Sequence, residues 1–116
     1  MLPRVLETEA MDTLDEAVDY DAMDHAEVNA RFVDDLLAEN PPPGEMLDLG
    51  TGTAQIPILL CRRAAGVRVR AVDAARHMLE VARRNVEAAG LAEWITLQRI
   101  DAKRLPYDDG TFAAVL

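Results

Sequence analysis

The sequence predicts an α/β fold in which crossover helices cover a parallel sheet. From residue 45 onward, short apolar runs typical of strands alternate with longer amphipathic stretches typical of helices. Glycines punctuate the ends of several of these elements. The first strand–helix–strand unit is close to the roughly 30 residues that such units usually need. Because these connections are right-handed, the four predicted strands take the spatial order 3-2-1-4.

Charge divides the chain into an acidic N-terminal part and a nearly neutral remainder. Residues 1–40 contain 12 acidic and two basic side chains, whereas residues 41–116 contain nine acidic and ten basic ones. We expect residues 1–40 to form an acidic helical cap and residues 41–44 a proline-rich linker. Residues 45–116 are predicted to form the ligand-binding portion of what is one domain overall.

Two helices are predicted in the N-terminal cap. The first covers residues 13–20, and the second begins at Asp24, where Glu27 completes a capping box. The prolines that start at Pro41 end the second helix. Its apolar residues recur at helical spacing and are predicted to form its buried face: Val28, Phe32, Val33, Leu36 and Leu37.

The remaining elements alternate along residues 45–116. Strands are predicted over residues 46–49, 67–72, 94–100 and 111–116. Helices are predicted over residues 54–65 and from residue 74 or 75 to 89, and glycines end both of them. The fourth strand is apolar and would leave one edge unpaired, so the half-sheet is predicted to form a symmetric dimer through it.

Residues suited to ligand binding accompany each of the first three predicted strands. Ligands of open parallel sheets bind at the carboxyl ends of the strands, where the strand order reverses. The residues found there are acids and a glycine turn, namely Asp48, Gly50, Thr51, Gly52, Asp73, Asp101 and Ala102. Separately, they could be a tight turn, a helix cap and the start of a polar loop. Their coincidence at one sheet edge favours a shared site.

One residue of the glycine turn narrows the class of ligand. A dinucleotide fingerprint needs Gly or Ala at its sixth position, where this chain has Gln55. A pyrophosphate would also be repelled by Asp48. A ligand without phosphates that carries a ribose, an adenine-like base and a positive centre suits these carboxylates better, and S-adenosylmethionine fits that description.

The motifs resemble those of a known family. The segment over residues 46–54, MLDLGTGTA, resembles the first motif of the class I S-adenosylmethionine-dependent methyltransferases. The acid at Asp73 with the helix over residues 78–85 is similar to the second region, and residues 101–112 match the third. The resemblance covers residues 45–116 and implies a Rossmann-like fold. The segment over residues 20–25 is similar to the N-terminal helices of some small-molecule members.

The resemblance implies a role for each candidate residue. The loop formed by Gly50, Thr51 and Gly52 would hold the methionine part of the cofactor, with Asp48 near its ammonium group. Asp73 would accept hydrogen bonds from the ribose hydroxyls.

At the adenine end, Asp101 and Ala102 would pair with the base. Met78 is a candidate for an apolar wall there, and ordinary helix core is an equal alternative. Tyr20 and Met23 would close over the cofactor from the N-terminal helices.

Two departures from the family pattern are present. Ala54 stands where the third small residue is usually glycine. The family's fold also continues beyond the fourth strand and builds its acceptor site there, so this chain is C-terminally truncated relative to the full methyltransferase fold.

The resemblance implies a methyltransferase, represented here by its cofactor-binding part. It would convert S-adenosylmethionine to S-adenosylhomocysteine and methylate an unidentified acceptor, with a small molecule favoured. The alternative is a binding-only module that dimerises or needs a partner chain and does not turn over alone. A nicotinamide-dependent oxidoreductase is disfavoured by Gln55 and by the Asp101-Ala102 pair.

Composition excludes several other classes of function. Neither part of the chain has the basic stripe of a general nucleic-acid-binding surface. No apolar run reaches the roughly 18 residues of a membrane helix, and the N-terminus does not resemble a secretion signal, so a cytoplasmic location is expected. No metal-ligand spacing is present. No catalytic residue is assigned, because His25, His77 and Cys61 are interpreted as structural or solvent-facing.

Overall fold

A parallel sheet forms the centre of the fold in this computed structural model, which describes residues 13–100 and 112–116. The strands in the described residues are β1 (Met46–Leu49), β2 (Val69–Asp73), β3 (Ile95–Arg99) and β4 (Ala114–Val115). Their spatial order is β3-β2-β1-β4 and all three pairings are parallel, which confirms the predicted order. In the described residues, β4 is shorter than the predicted strand over residues 111–116.

In the part of the chain that the structure describes, two helices precede β1, one follows β1 and one follows β2. The helices in the described residues are α1 (Leu14–Ala22), α2 (Ala26–Ala38), α3 (Gln55–Arg63) and α4 (Arg76–Ala88). Successive right-handed crossovers in one direction place α3 and α4 on the same face of the sheet. Consistent with this, Ile58 of α3 and Val86 of α4 share a buried cluster with Ala71 and Ile95 of the strands.

The two N-terminal helices pack on the crossover helices rather than on the strands alone. Ala17 of α1 is fully buried against Met78 and Val81 of α4. Val33 of α2 is fully buried in a cluster with Leu60 of α3 and Met46 of β1. Each N-terminal helix is therefore anchored to a crossover helix by a small apolar contact.

The start and the buried face of α2 differ from the sequence prediction. The helix begins at Ala26, two residues later than predicted, because the Asp24 carboxylate accepts a hydrogen bond from the Ala26 N–H at 3.0 Å and forms a turn. The predicted capping box is therefore wrong. Val28 and Phe32 are 72% and 41% exposed, so the buried face is narrower than the apolar pattern.

Within the described residues, no helix combines the length and apolar character needed to cross a bilayer.

Candidate functional site

The turn after β1 is a loop of tightly bent backbone. Gly50 and Gly52 adopt φ values of 66° and 60°, a left-handed conformation that glycine reaches without a steric penalty. Ala54 has the same conformation, with φ 66°, and its methyl group is fully buried in the core. The Thr51 N–H donates to the Val72 carbonyl at 2.9 Å. These features hold what we call the glycine loop, residues 50–54, against the end of β2.

Asp48 is a buried carboxylate on β1 that faces the glycine loop. It is 6% exposed, and its Oδ2 accepts a hydrogen bond from the Thr51 hydroxyl at 2.7 Å. Burial raises the pKa of Asp48, and the negative charge of Asp73 raises it further, while the bond from Thr51 lowers it. A cation placed beside Asp48 would compensate the cost of burying this charge.

Asp73 is the last residue of β2 and also binds the glycine loop. Its Oδ2 accepts a hydrogen bond from the Gly52 N–H at 2.8 Å, and its Oδ1 accepts one from the Ala75 N–H at 2.8 Å. Asp73 therefore stabilises the turn that leads into α4. A helix cap is one of the two interpretations of this residue, and a ribose acceptor is the other. Each carboxylate oxygen keeps acceptor capacity for a further donor such as a hydroxyl group. The structure thus brings Asp48 and Asp73 to one loop.

A cavity of about 230 Å³ opens beside the glycine loop. The residues that line it are Tyr20, Asn29, Phe32, Asp48, Leu49, Gly50, Thr51, Thr53, Gln55, Ile56 and Leu116. These include a buried carboxylate, hydroxyls and amides, and among the residues that the structure describes no Lys, Arg or His lines the cavity. The carboxylate and the hydroxyl groups suit a ligand with a positive centre and hydroxyl groups, and the carboxylate would repel a pyrophosphate. The residues present therefore fit S-adenosylmethionine.

Tyr20 lies directly over the glycine loop. A Cβ atom added to Gly52 would meet the Tyr20 Cε1 atom at 3.5 Å, in ordinary van der Waals contact. The Tyr20 ring also stacks on His25, with ring centroids 5.1 Å apart. Tyr20 therefore lies beside the glycine loop, and its closing over a ligand stays a prediction.

Met23 and Met78 lie away from the glycine-loop cavity. Met23 is 55% exposed and lines a second, more open hollow of about 670 Å³ between the α1–α2 turn and helices α3 and α4. Met78 is 4% exposed and packs against Ala17 of α1, which favours helix core over the proposed adenine wall. Asp101 and Ala102 lie outside the described residues.

A network of amide and carboxylate side chains, which the sequence did not predict, surrounds the end of the glycine loop. Asp21 Oδ1 accepts hydrogen bonds from Asn85 Nδ2 at 2.9 Å and from Gln55 Nε2 at 3.4 Å. Gln55 also accepts a bond from Asn29 Nδ2 at 3.1 Å and donates to Thr53 Oγ1 at 3.3 Å. The only signal in the sequence was Gln55 itself, a polar residue where a small one was expected.

The histidines and the cysteine do not form a catalytic constellation. His25 Nε2 is buried and has no hydrogen-bond partner among the described residues. The Cys61 thiol donates to the Val67 carbonyl at 3.5 Å, and burial raises its pKa, which keeps it protonated and unreactive. In residues 13–100 and 112–116, no three His, Cys, Asp or Glu side chains are grouped as a metal site.

Comparison with known proteins identifies relatives over the sheet portion. The family model described as a methyltransferase domain matches residues 46–116. A demethylmenaquinone methyltransferase of Thermus thermophilus is 43% identical over 79 residues, which are 68% of this chain and 35% of that protein. The chain therefore spans about a third of the length of this relative.

Solved structures show the same arrangement of elements. A Methanococcus maripaludis protein assigned as an S-adenosylmethionine-dependent methyltransferase superposes with a TM-score of 0.80 over 88% of this chain and 48% of its own, at 21% identity, and so shows the fold. A methyltransferase from Thiobacillus denitrificans, solved with S-adenosylhomocysteine, superposes with a TM-score of 0.57 at 26% identity, over 66% of this chain and 30% of its own.

Proposed function

We propose that this chain, which belongs to the class I S-adenosylmethionine-dependent methyltransferase family, forms the cofactor-binding part of a methyltransferase. The observation that carries the proposal is the meeting of two carboxylates, Asp48 and Asp73, on one glycine loop through Thr51 and Gly52. Asp48 lines the cavity, and none of its lining residues within 13–100 and 112–116 is a Lys, Arg or His, which favours a positively charged ligand over a phosphorylated one.

Each residue of the loop has a role in this proposal. The backbone of Gly50, Thr51 and Gly52 contacts the methionine part of the cofactor. Asp48 faces the ammonium group, whose charge offsets the burial of the carboxylate. Asp73 accepts the ribose hydroxyls through the acceptor capacity that its two bonds to N–H groups leave free.

Three further assignments rest on family resemblance or on position. Asp101 and Ala102 are proposed to pair with the adenine base. Tyr20 is proposed to cover the cofactor, and its position beside Gly52 supports this role.

Methyl transfer from S-adenosylmethionine requires positioning of the reactants more than acid or base catalysis. S-adenosylmethionine, when bound, supplies a methyl group on a positively charged sulfur that leaves as a neutral thioether. The chain's own residues fix the cofactor and exclude water, and such alignment alone contributes up to about 7–11 kcal/mol in favourable cases. We assign no general base.

A small molecule is the proposed methyl acceptor. The relative from Thermus thermophilus is named for demethylmenaquinone, which is a small molecule. The lining of the cavity beside the glycine loop includes three apolar side chains, Phe32, Ile56 and Leu116, which suit contact with a small organic acceptor. The identity of the acceptor and of the methylated atom belongs to the whole protein.

Calorimetric titration tests the proposed cofactor. We expect S-adenosylhomocysteine to bind to the chain with one site and NADH to give no heat of binding. Binding of NADH in place of S-adenosylhomocysteine would overturn the assignment, because Gln55 and the two carboxylates would then tolerate a pyrophosphate. Methyl release from labelled cofactor in the whole protein, offered small-molecule and peptide acceptors in parallel, tests the proposed acceptor class.

A substitution at Asp73 tests the ribose contact. Asp73→Ala removes a charged acceptor, and we expect it to weaken the binding of S-adenosylhomocysteine by about 1.5–3 kcal/mol. Asp35→Ala on α2 is the matched control, since it removes the same charge from an exposed position. Unchanged affinity in Asp73→Ala, or an equal loss in Asp35→Ala, contradicts the assigned role.

A further inference from the structure

The end of α1 is held over the glycine loop by polar contacts as well as by packing. Ala17, in the middle of α1, is its one fully buried residue among those described. One turn later, Tyr20 lies over Gly52 and Asp21 enters the hydrogen-bond network around the loop. The apolar contact therefore fixes the body of the helix, whereas the network fixes the turn that covers the loop.

The network connects four separate parts of the chain. We call it the amide latch and define it as Asp21, Asn29, Gln55 and Asn85, which lie on α1, α2, α3 and α4. Asn85 Nδ2 bonds both Asp21 Oδ1, at 2.9 Å, and the Thr53 carbonyl of the glycine loop, at 3.1 Å. Asp21 is the only carboxylate in the latch, and Gln55 and Asn85 both donate to its Oδ1.

The latch lies between the two hollows. Asn29 and Gln55 line both the glycine-loop cavity and the larger open hollow on the α4 side. When α1 moves away from the loop, Asp21 loses the donors from Gln55 and Asn85, and each of these half-buried amides loses one of its two acceptors. Because half-buried polar groups are costly without partners, the latch favours a single closed position of α1.

We propose that Asp21 is a positioning residue that holds α1, and with it Tyr20, closed over the glycine loop, so that a bound cofactor leaves only when the amide latch opens. This inference rests on the proposed function for its ligand, but the closed position of α1 is a property of the chain alone. Asp21 acts through its neighbour Tyr20 and touches no reacting atom.

Two measurements on the 116-residue chain test the proposal. Amide hydrogen exchange without ligand reports opening of α1, and stopped-flow displacement reports the dissociation rate of S-adenosylhomocysteine. For Asp21→Ala we expect about tenfold faster exchange in residues 14–22 and about tenfold faster dissociation, the size expected for a lost bond to a charged acceptor. Exchange in β2 is expected to stay unchanged, which a general loss of stability would not allow.

Matched variants separate the latch from the loss of a charge. Asp19→Ala removes an exposed carboxylate of the same helix and is expected to leave both rates unchanged. Asp21→Asn keeps an acceptor oxygen and is expected to fall between the wild type and Asp21→Ala. Gln55→Met keeps the length of the side chain, removes its hydrogen bonds and is expected to speed exchange in α1, should Asp21→Ala fail to fold.

Each contrary outcome has a distinct meaning. Equal effects of Asp21→Ala and Asp19→Ala, or unchanged exchange in α1 in both Asp21→Ala and Gln55→Met, overturn the proposal. Faster exchange with an unchanged dissociation rate shows that the latch does not govern release and also overturns it. Absence of S-adenosylhomocysteine binding in the wild type rejects the proposed function, whereas the exchange experiment still decides whether Asp21 holds α1 closed.

Discussion

Asp48 is a residue whose charge costs stability in the ligand-free chain. Burial raises the pKa of Asp48 and outweighs the lowering by the hydrogen bond from Thr51, and the negative charge of Asp73 raises it further. A carboxyl group with a raised pKa binds more protons in the folded than in the unfolded state. Its contribution to stability therefore falls as the pH rises from its ordinary pKa through the raised value, and the penalty is complete above that range.

Asp48→Asn is expected to stabilise the ligand-free chain at neutral pH. The amide is uncharged and keeps an oxygen that can accept the bond from the Thr51 hydroxyl. The midpoint of thermal unfolding should rise at pH 7, and its difference from the wild type should shrink as the pH falls below the ordinary range of a carboxyl group. The same variant should bind S-adenosylhomocysteine about tenfold more weakly, since a charged contact to the ammonium is lost.

An exposed carboxylate provides the control for this prediction. Asp35→Asn changes the same group on the surface of α2 and should alter neither the unfolding midpoint nor the affinity. A lower midpoint for Asp48→Asn at neutral pH would show that the buried charge is stabilising, and the electrostatic account of Asp48 would be wrong.

The sequence predicts residues that lie at the ends of strands better than residues that meet across helices. Asp48 and Asp73 could be placed at one loop because parallel strands in the order 3-2-1-4 bring their carboxyl ends together. The bond between Asp21 and Asn85 joins positions 64 residues apart on two helices whose packing no local pattern specifies. Asn and Gln side chains also occur on any solvated helix face, so apart from Gln55, which stands at the sixth position of the glycine turn, they give no signal of their own.

Among the elements, α2 shows how an apolar pattern can be wider than the surface it buries. At about 100° per residue, Val28 lies about 140° around the helix axis from Val33. Val33 points into the cluster with Leu60 and Met46, whereas Val28 points to solvent and Phe32 borders the glycine-loop cavity. The apolar pattern predicted the helix correctly, but only the contact of α2 with α3 decides which of the apolar residues are buried.

Paired substitutions in α2 test this assignment of its faces. Val33→Ala removes two fully buried methyl groups, and we expect it to lower the free energy of unfolding by about 1.5–3 kcal/mol. Val28→Ala makes the same change at a position that is 72% exposed and should alter it by no more than about 0.5 kcal/mol. Urea unfolding measures both, and equal losses at the two positions would contradict the packing of α2 on α3.

At the scale of the whole molecule, the sheet has an edge strand with a free side. β4 pairs with β1 through Ala114 and Val115, and no strand in residues 13–100 or 112–116 pairs with its other side. Val115 is 61% exposed on this strand. An apolar edge with unpaired backbone groups is a template for pairing with another chain, which is the basis of the predicted dimer.

Sedimentation velocity over a range of concentrations tests association through β4. We expect the 116-residue chain to shift from monomer toward dimer as its concentration rises, since a symmetric contact between two copies of β4 would pair the free backbone groups of both. Val115→Lys should suppress the shift, because a lysine on an edge strand disfavours strand pairing. Val18→Lys adds the same charge at an exposed position of α1 and should leave association unchanged. A monomer at every concentration, or equal suppression by the two variants, contradicts a dimer formed through this edge.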